Sequence, residues 1–299
     1  MSSAPPRPDA PATVTVERAV EETRALAAEL GVEAEPAVVA DKSNLVLRLA
    51  PHPIVARVAM ATSLVRVGMA WLRREVEISR FLAERGCGVT RPSTRLPAGP
   101  FERGGLVISF WDEEEIVADR PDPRAAGAAL REAQRALARY DATALPVWGS
   151  VDEARQVFAR ARFFTGPELR RMKHAWEEVD GIVASAPSRT ASFQAVHGDA
   201  HIGNVLATAR GPVWTDWEDA FVGPVEWDIA SLRSKAELFG EERSDIEAMT
   251  AAYGADYDVD LARDLGLVRN VQVISWLAIF AERQPDLLAR MRMRLDRLP

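Results

Sequence analysis

The chain has 299 residues, 47% of them hydrophobic, and a formal net charge of −7. This length and apolar content suffice for one large domain or two smaller ones with packed cores. The acidic balance excludes the basic surface that a nucleic-acid-binding protein needs, and the single cysteine, Cys87, excludes an internal disulfide or a multi-cysteine zinc site. No apolar run approaches the roughly 18 to 20 residues of a membrane span, and the first residues lack the apolar segment of a secretory signal. We therefore expect a cytoplasmic globular protein that binds neither nucleic acid nor a membrane.

The first part of the chain predicts a small antiparallel sheet with one inserted helix. Residues 1–13 are rich in Pro, Ala and Ser, which predicts a disordered terminus, and a helix is predicted over 14–30, ended by Gly31. A second helix is predicted over 69–84. Short runs of apolar residues separated by turn signals predict three strands, at 38–40, 45–49 and 54–60, and two more strands are predicted at 93–96 and 106–110. These elements define a first lobe over residues 14–111.

Helical periodicity dominates from residue 122 onward, so residues 112–299 are predicted to form a mainly α-helical second lobe. Its predicted helices cover 123–140, 151–162, 167–183, 224–239, 245–253 and, with interruptions, 261–294. One hairpin is predicted inside this lobe, from apolar residues at 205–206 and 213–214 around a turn-like segment at 209–212. The fold class predicted from the whole pattern is α+β.

The residues that carry chemistry cluster around that hairpin. Residues 197–204 read His-Gly-Asp-Ala-His-Ile-Gly-Asn, and Asp216 follows the second apolar run of the hairpin. Phosphoryl transfer needs an aspartate beside the attacking hydroxyl, and an amide and a second acid that hold metal ions against the phosphates. Asp199 is predicted to orient the hydroxyl. Asn204 and Asp216 are predicted to bind Mg²⁺, which prefers oxygen ligands.

With these motifs the chain resembles the aminoglycoside phosphotransferase family. The resemblance is carried by residues 197–204, by Thr-Asp-Trp-Glu-Asp at 215–219 and by Gly-Pro-Val-Glu-Trp-Asp-Ile-Ala at 223–230, and the protein-kinase catalytic loop has the same Asp-to-Asn spacing. It implies a bilobal protein-kinase-like fold, ATP or GTP as phosphate donor, and a small-molecule hydroxyl acceptor, with cationic compounds as one candidate class. It also makes residues 14–111 the nucleotide-binding lobe and assigns the catalytic loop and acceptor site to residues 112–299.

The resemblance extends to candidate nucleotide-binding residues in the first lobe. Arg57 stands on the third predicted strand where the family's usual lysine would contact the phosphates, and Glu75 is its expected partner on the next helix, with Glu77 as a rival. An exposed position on an edge strand is the alternative for Arg57. The loop over residues 41–44 contains no glycine, so Ser43 and Asn44 are expected to contact the phosphates instead.

Residues 107–112 resemble the segment that connects the two lobes in this family and binds the purine base. Ser109 and Trp111 are therefore candidate base-binding residues. Core packing is the alternative for Trp111 and for its neighbour Phe110.

Several polar residues near the loop have two interpretations. His197 is expected to support the loop rather than act as a base, while His201 either supports the loop or contacts the substrate. Glu218 and Asp219 are solvated acids or additional metal or substrate ligands. Asp228 is expected to be a buried structural acid that anchors the loop after the Gly-Pro at 223–224.

Two other functions compete with the kinase interpretation. His197, Asp199, His201 and Asp216 could form the metal site of a hydrolase. A catalytically inert, kinase-like nucleotide-binding protein is the second rival, motivated by Arg57 in place of lysine and by the glycine-free loop.

Overall fold

The computed structural model divides into two compact units. The first comprises the described residues up to Val76 together with Arg91–Glu114, and the second comprises Glu77–Thr90 and Glu115–Pro299. The described backbone covers residues 15–41, 44–60, 68–239, 242–282 and 284–299, and side chains are described for all of these except 235–239. The predicted disorder of residues 1–13 lies outside the described residues, and the predicted lobe boundary at residue 111 stays a prediction. Within the described ranges, no helix has the length and apolar character needed to cross a membrane.

The first unit is built on a five-stranded antiparallel sheet. Its strands are β1 (Glu35–Asp41), β2 (Asn44–Ala50), β3 (Ile54–Ala59), β4 (Phe101–Arg103) and β5 (Leu106–Asp112), in the order β1-β2-β3-β5-β4. Helix α1 (Val16–Glu29) precedes the sheet, and helix α2 (Ala70–Ala83) begins in this unit. Alternate residues of the central strands, including Leu45, Leu47 and Ile108, pack with apolar residues of α1 because side chains on a strand alternate between its two faces.

One of the five predicted strands of this sheet, at residues 93–96, is not a strand in the structure. Residues 93–96 form a turn, in which the Ser93 hydroxyl accepts hydrogen bonds from the backbone N–H groups of Arg95 (3.3 Å) and Leu96 (3.2 Å). Ser, Thr and Asn side chains often compete with sheet hydrogen bonding in this way. The strand that completes the sheet is instead β4, which pairs with β5. The two strands are connected by Gly104 and Gly105, both with positive φ (56° and 78°).

The second unit is mainly helical. Several of its helices begin at side-chain caps; for example, Thr165 and Glu168 form a reciprocal capping box, and Asp258 accepts a hydrogen bond from the Leu261 N–H at 2.7 Å. Its further helices are α3 (Pro123–Leu137), α4 (Gly149–Arg160), α5 (Gly166–Arg189), α6 (Glu226–Phe239), α7 (Arg243–Tyr253), α8 (Val259–Phe280) and α9 (Leu287–Leu295). The predicted α+β class, with an antiparallel sheet followed by a mainly helical region, is confirmed.

Short strands inside the second unit carry the motif residues. They are β6 (Ile116–Ala118), β7 (Phe193–Val196), β8 (Val205–Thr208), β9 (Gly211–Trp214) and β10 (Phe221–Pro224). The predicted hairpin is confirmed as β8 and β9, which β6 extends to three strands, and β7 pairs with β10. Residues 197–204 therefore connect β7 to β8. Trp214, Trp217 and Trp227 are fully buried around this connection, as expected for core packing.

Candidate active site

A buried carboxylate holds the start of the loop over residues 197–204. Asp228 accepts hydrogen bonds from the backbone N–H groups of His197 and Gly198, each at 3.0 Å, and from the Gln134 side chain at 2.7 Å. Burial raises the pKa of the Asp228 carboxyl, while the nearby His197 and these hydrogen bonds oppose the shift. The expectation that Asp228 is a buried anchor is met, but the segment that it anchors is residues 197–198, not the loop after residues 223–224.

His197 uses both ring nitrogens inside the protein. Its Nε2 lies 3.0 Å from the Thr215 carbonyl oxygen, and its Nδ1 accepts a hydrogen bond from the Asp199 N–H at 3.3 Å. The neutral tautomer with the proton on Nε2 satisfies both contacts. The ring is fully buried, with its centroid 4.4 Å from that of Trp217. These contacts support the loop and leave neither nitrogen available to a metal, which disfavours the hydrolase interpretation.

Gly198 is required by its surroundings as well as by its backbone conformation. Its φ is +88°, and a Cβ at this position would lie 2.1 Å from the carbonyl oxygen of Asp219. Its own carbonyl accepts a hydrogen bond from the Trp227 indole N–H at 2.8 Å. Gly198 thus lets the loop approach the segment that follows β9.

The three residues predicted to carry the chemistry are connected through the loop and the hairpin. The Asn204 amide donates a hydrogen bond to the backbone carbonyl of Asp199 at 3.0 Å, and the Thr215 N–H donates to the Asn204 carbonyl at 3.0 Å. This second contact continues the β8–β9 ladder, in which Val205 faces Trp214. Asn204 and Asp216 therefore emerge from the same open end of the hairpin. Asp216 has φ 69° and ψ 48°, a left-handed conformation that is uncommon outside glycine and is concentrated at functional sites.

The Asp199 carboxylate has a neighbour at each oxygen. Its Oδ2 lies 3.5 Å from Nε2 of His201, and its Oδ1 forms an ion pair with Nη2 of Arg269. His201 Nδ1 accepts a hydrogen bond from the Gly203 N–H at 3.1 Å. Of the two interpretations of His201, loop support is therefore observed, because the ring caps the turn that leads to Asn204.

Arg269 was missed by the sequence analysis, although helix α8 contains a signal that could have revealed it. Leu265, Val268, Gln272 and Ser275 are buried on the same helix, and Arg269 lies among them at helical spacing, only 6% exposed. A charged residue in a buried helix register needs an ionic or hydrogen-bonding partner. What the sequence could not provide is the identity of that partner, because Asp199 lies 70 residues earlier in the chain.

In the first unit, the structure brings Arg57 and Glu75 together. Arg57 Nη1 donates to Glu75 Oε1, and their side chains are 11% and 1% exposed. The alternative of an exposed edge position for Arg57 is wrong, because β3 lies between β2 and β5 and Arg57 is buried. Glu77 is exposed. Asn44 is buried at the first position of β2, and Ser43 lies outside the described residues.

Ser109 and Trp111 were expected in a segment that connects the two lobes, but the structure places them inside a strand. Residues 107–112 belong to β5, in which Ser109 faces Arg57 across the ladder and Trp111 faces Val55. The Trp111 indole N–H donates to the Ser109 hydroxyl at 3.0 Å, and both side chains are buried. The packing alternative for Trp111 and Phe110 is therefore the observed arrangement.

The remaining acids near the hairpin differ in exposure. Glu218 is only 4% exposed, so its interpretation as a solvated acid is wrong, whereas Asp219 is partly exposed. Among the described residues, no group of three or more His, Cys, Asp or Glu side chains is arranged to hold a metal ion by itself. Asn204 and Asp216 supply an amide and a carboxylate, a donor set that suits Mg²⁺, since this ion usually takes one or two protein oxygens and completes its shell with water and phosphate oxygens.

The model of the phosphotransferase enzyme family matches residues 33–263 of the chain. The chain belongs to this family. The membership confirms the predicted enzyme class, a phosphotransferase that acts on an alcohol group, and the coarser function prediction, a small-molecule kinase. No curated protein matches this phosphotransferase.

Solved structures share the fold of this phosphotransferase at low sequence identity. A microcompartment-associated aminopropanol kinase has a TM-score of 0.68 at 13% identity, covering 92% of this chain and 95% of its own. The amicoumacin kinase hAmiN, in complex with AMP-PNP, Ca²⁺ and Ami, has a TM-score of 0.64 at 14% identity, with coverages of 88% and 89%. The GDP and kanamycin complex of APH(2")-IIia has a TM-score of 0.64 at 14% identity, with coverages of 94% and 97%. The predicted protein-kinase-like fold is confirmed.

Proposed function

We propose that this phosphotransferase transfers the γ-phosphoryl group of ATP or GTP to a hydroxyl group of a small molecule, with Asp199 orienting that hydroxyl. The observation that carries the proposal is the loop over residues 197–204, in which the Asn204 amide donates a hydrogen bond to the Asp199 backbone carbonyl. Asn204 enters the β8–β9 hairpin at the same open end from which Asp216 leaves it. One short segment thus holds an acid for the acceptor and an amide for a metal in fixed relation, as phosphoryl transfer requires.

On the acceptor side, the Asp199 carboxylate is the group that receives the hydroxyl. The acceptor O–H donates to an oxygen of Asp199, which aims the acceptor oxygen at the γ-phosphorus. The bond between the acceptor oxygen and phosphorus forms while the bond from phosphorus to the β–γ bridging oxygen breaks. The acceptor proton passes to the carboxylate, and a nucleoside diphosphate leaves.

Asn204 and Asp216 are the proposed ligands of Mg²⁺. When bound, the ion neutralises charge on the phosphates of the donor. The Asn204 Nδ2 is already used by the Asp199 carbonyl at 3.0 Å, which orients the amide and leaves its oxygen for the metal. The left-handed backbone of Asp216 is consistent with a side chain that function holds in place.

Arg57, steadied by Glu75, is the proposed phosphate contact in the first unit. A guanidinium binds phosphate oxygens through two parallel hydrogen bonds, and the buried ion pair fixes its direction. Asn44 and Ser43 are proposed as further phosphate contacts. For Ser109 and Trp111, the proposed contact with the purine base is limited to their backbone groups, because their side chains form a hydrogen bond with each other.

The relatives named above support nucleotide donors and hydroxyl-bearing acceptors without choosing among them. One is described in complex with AMP-PNP and another with GDP and kanamycin, so both ATP and GTP belong in a test. The described acceptors range from aminopropanol to an aminoglycoside. The proposal is therefore limited to small molecules that carry a hydroxyl group, with amines as the first candidates.

The test is acceptor-dependent turnover with Mg²⁺ and either ATP or GTP, using kanamycin, amicoumacin and aminopropanol as acceptors. Asp199→Asn should lower kcat by about 10²–10⁴-fold, with the KM for nucleotide little changed. Asp264→Asn is the matched control, since Asp264 forms a partly exposed ion pair with Arg189 at 2.8 Å in the same unit. Full turnover in Asp199→Asn would refute the assignment. Nucleotide-induced thermal stabilisation without phosphorylation of any acceptor would favour the inert nucleotide-binding protein.

A further inference from the structure

The Asp199 carboxylate is held by a buried arginine from a distant helix. Arg269 lies in the middle of α8 and is 6% exposed. Its Nη2 donates to Asp199 Oδ1, and its Nη1 donates to the side-chain oxygen of Gln272 at 2.5 Å. A guanidinium is planar and rigid, so two contacts on different nitrogens fix its orientation as well as its position.

The Gln272 side chain is itself oriented by hydrogen bonds to Ser150 of helix α4. Its side-chain nitrogen donates to the Ser150 hydroxyl and lies 3.4 Å from the Ser150 carbonyl oxygen. The amide can therefore present only its oxygen to Arg269, because its nitrogen is already used. Gln272 and Ser150 are 4% and 5% exposed. A buried chain of hydrogen bonds thus runs from α4 through Gln272 and Arg269 to Asp199.

Other cationic side chains lie near Arg269. Burial, together with the positive charges of Arg269, Arg290 and Arg297, lowers the pKa of Arg294, which places Arg269 in a positively charged environment. A buried guanidinium there is stabilised by the carboxylate of Asp199. Removing that carboxylate would leave the buried guanidinium of Arg269 without the negative charge that compensates it here.

We propose that Arg269 is a positioning residue that holds Asp199 Oδ1 and thereby presents Oδ2 to the acceptor hydroxyl. The inference rests on the proposed function of Asp199. Oδ1 is occupied by the guanidinium, whereas Oδ2 has His201 Nε2 at 3.5 Å as its neighbour and the Asp199 side chain keeps 21% exposure. The proposal assigns the acceptor proton to Oδ2, the oxygen that Arg269 does not hold. Arg269 contacts neither donor nor acceptor and acts through the orientation of the carboxylate.

The first test measures kcat and KM for the acceptor on which the wild-type enzyme is active. Arg269→Met should lower kcat by about 100-fold, since a displacement of about 1 Å in a reacting group has effects of that size, while the acceptor KM changes by less than about threefold. Arg269→Lys keeps the charge but lacks the rigid planar fork that fixes the orientation of the carboxylate, so it should retain only part of the activity, at about ten times the kcat of Arg269→Met. Gln272→Glu, which gives Arg269 a competing carboxylate, should lie between the wild type and Arg269→Met.

Arg189→Met is the matched control, because it also removes an arginine–aspartate pair that involves α8, and it should leave kcat unchanged. If Asp199→Asn is inactive but Arg269→Met keeps its kcat, the inference about Arg269 is overturned and the proposed function stands. If Asp199→Asn is active, the proposed function fails and the positioning role fails with it.

A second test needs no acceptor. Urea unfolding of Asp199→Asn, Arg269→Met and the double variant forms a double-mutant cycle. Each single change should destabilise the protein, and the double variant should be more stable than additivity predicts, by about tenfold in the unfolding equilibrium constant. Additive effects, or an Asp199→Asn variant more stable than the wild type, would overturn the inference even if no acceptor in the panel is phosphorylated.

Discussion

Substituting Gly198 by alanine tests whether the approach of two loop segments builds the candidate site. Gly198 has φ +88°, and an added Cβ would lie 2.1 Å from the Asp219 carbonyl oxygen and 2.7 Å from its carbonyl carbon. Both atoms belong to the backbone, so no side chain can rotate out of the way. Either the loop over residues 197–204 or the segment after β9 must move.

The expected loss can be separated into two parts. An alanine in the left-handed region costs about 1–2 kcal/mol relative to glycine. Forcing a methyl group into packed backbone adds about 1–3 kcal/mol. Gly211 isolates the first part, because its φ is +97° and nothing lies within 4 Å of its added Cβ. We therefore expect Gly198→Ala to lower the free energy of unfolding by about 2–5 kcal/mol and Gly211→Ala by about 1–2 kcal/mol.

Urea unfolding of the two variants, followed by tryptophan fluorescence, measures the difference. The same displacement should reduce turnover in Gly198→Ala under conditions where the variant is fully folded, because Asp199 follows the substituted residue directly. Equal stability of the two variants would show that the Asp219 backbone does not restrict the loop. The geometric reasoning would then be wrong.

Three other buried groups make separate predictions. Removing the charge of one partner of a buried ion pair takes away compensation from the other charge, so Glu75→Gln should lower the free energy of unfolding by about 3 kcal/mol. Arg24→Met, which breaks an exposed pair with Glu35, should cost less than about 1 kcal/mol. Burial, with a smaller contribution from the charge of Glu132, raises the pKa of the Cys87 thiol; at about pH 8 the native protein should therefore react with an aromatic disulfide reagent far more slowly than the unfolded chain. Folding raises the pKa of Asp228, so protonation of this carboxyl stabilises the folded protein. This contribution is fully present below the unfolded pKa of about 4, and it is lost as the pH rises through the folded pKa. The stability of the wild type relative to Asp228→Asn should therefore fall as the pH rises above about 4, as measured by urea unfolding.

Each of these predictions has a clear contrary result. A Glu75→Gln variant as stable as Arg24→Met would mean that the Arg57 pair is solvated. Equal labelling rates for native and unfolded protein would mean that Cys87 is accessible. A stability difference for Asp228→Asn that stays constant or grows with pH would mean that folding does not raise the pKa of this carboxyl.

The first sheet could be predicted because its signals are local. β2 alternates buried and less buried positions from Leu45 to Ala50, and β3 is buried except at Val55. The two strands pair across a Pro-His-Pro turn, and the pairing of adjacent strands needs no information from elsewhere in the chain. The wrong prediction at residues 93–96 also came from a short local segment, whose signals favour a turn. A strand was predicted there although three of the four residues, Ser-Thr-Arg at 93–95, are polar, while the hydroxyl of Ser93 and the prolines at 92 and 97 favour a turn. The Gly104-Gly105 pair is the stronger hairpin signal.

The candidate site was predictable to the extent that it is contiguous. Asp199 and Asn204 lie five residues apart on one loop, and Asp216 follows the adjacent strand, so their proximity is a consequence of one hairpin. The pairing of Arg57 with Glu75 was expected from the family resemblance. The burial of Glu218 had no local signal, because it depends on packing by elements elsewhere in the chain.

The sequence pattern predicts that Arg269 is buried but not which residue it pairs with. Helical periodicity places Arg269 and Gln272 on a buried face of α8, which implies that each needs a polar partner. Which partners they take depends on how α4, α8 and the loop after β7 pack together, and that packing is determined by apolar contacts throughout the unit. A charged residue in an otherwise apolar register is therefore a reason to search the candidate site for its counterion. In this chain that search leads from Arg269 to the aspartate proposed to carry the chemistry.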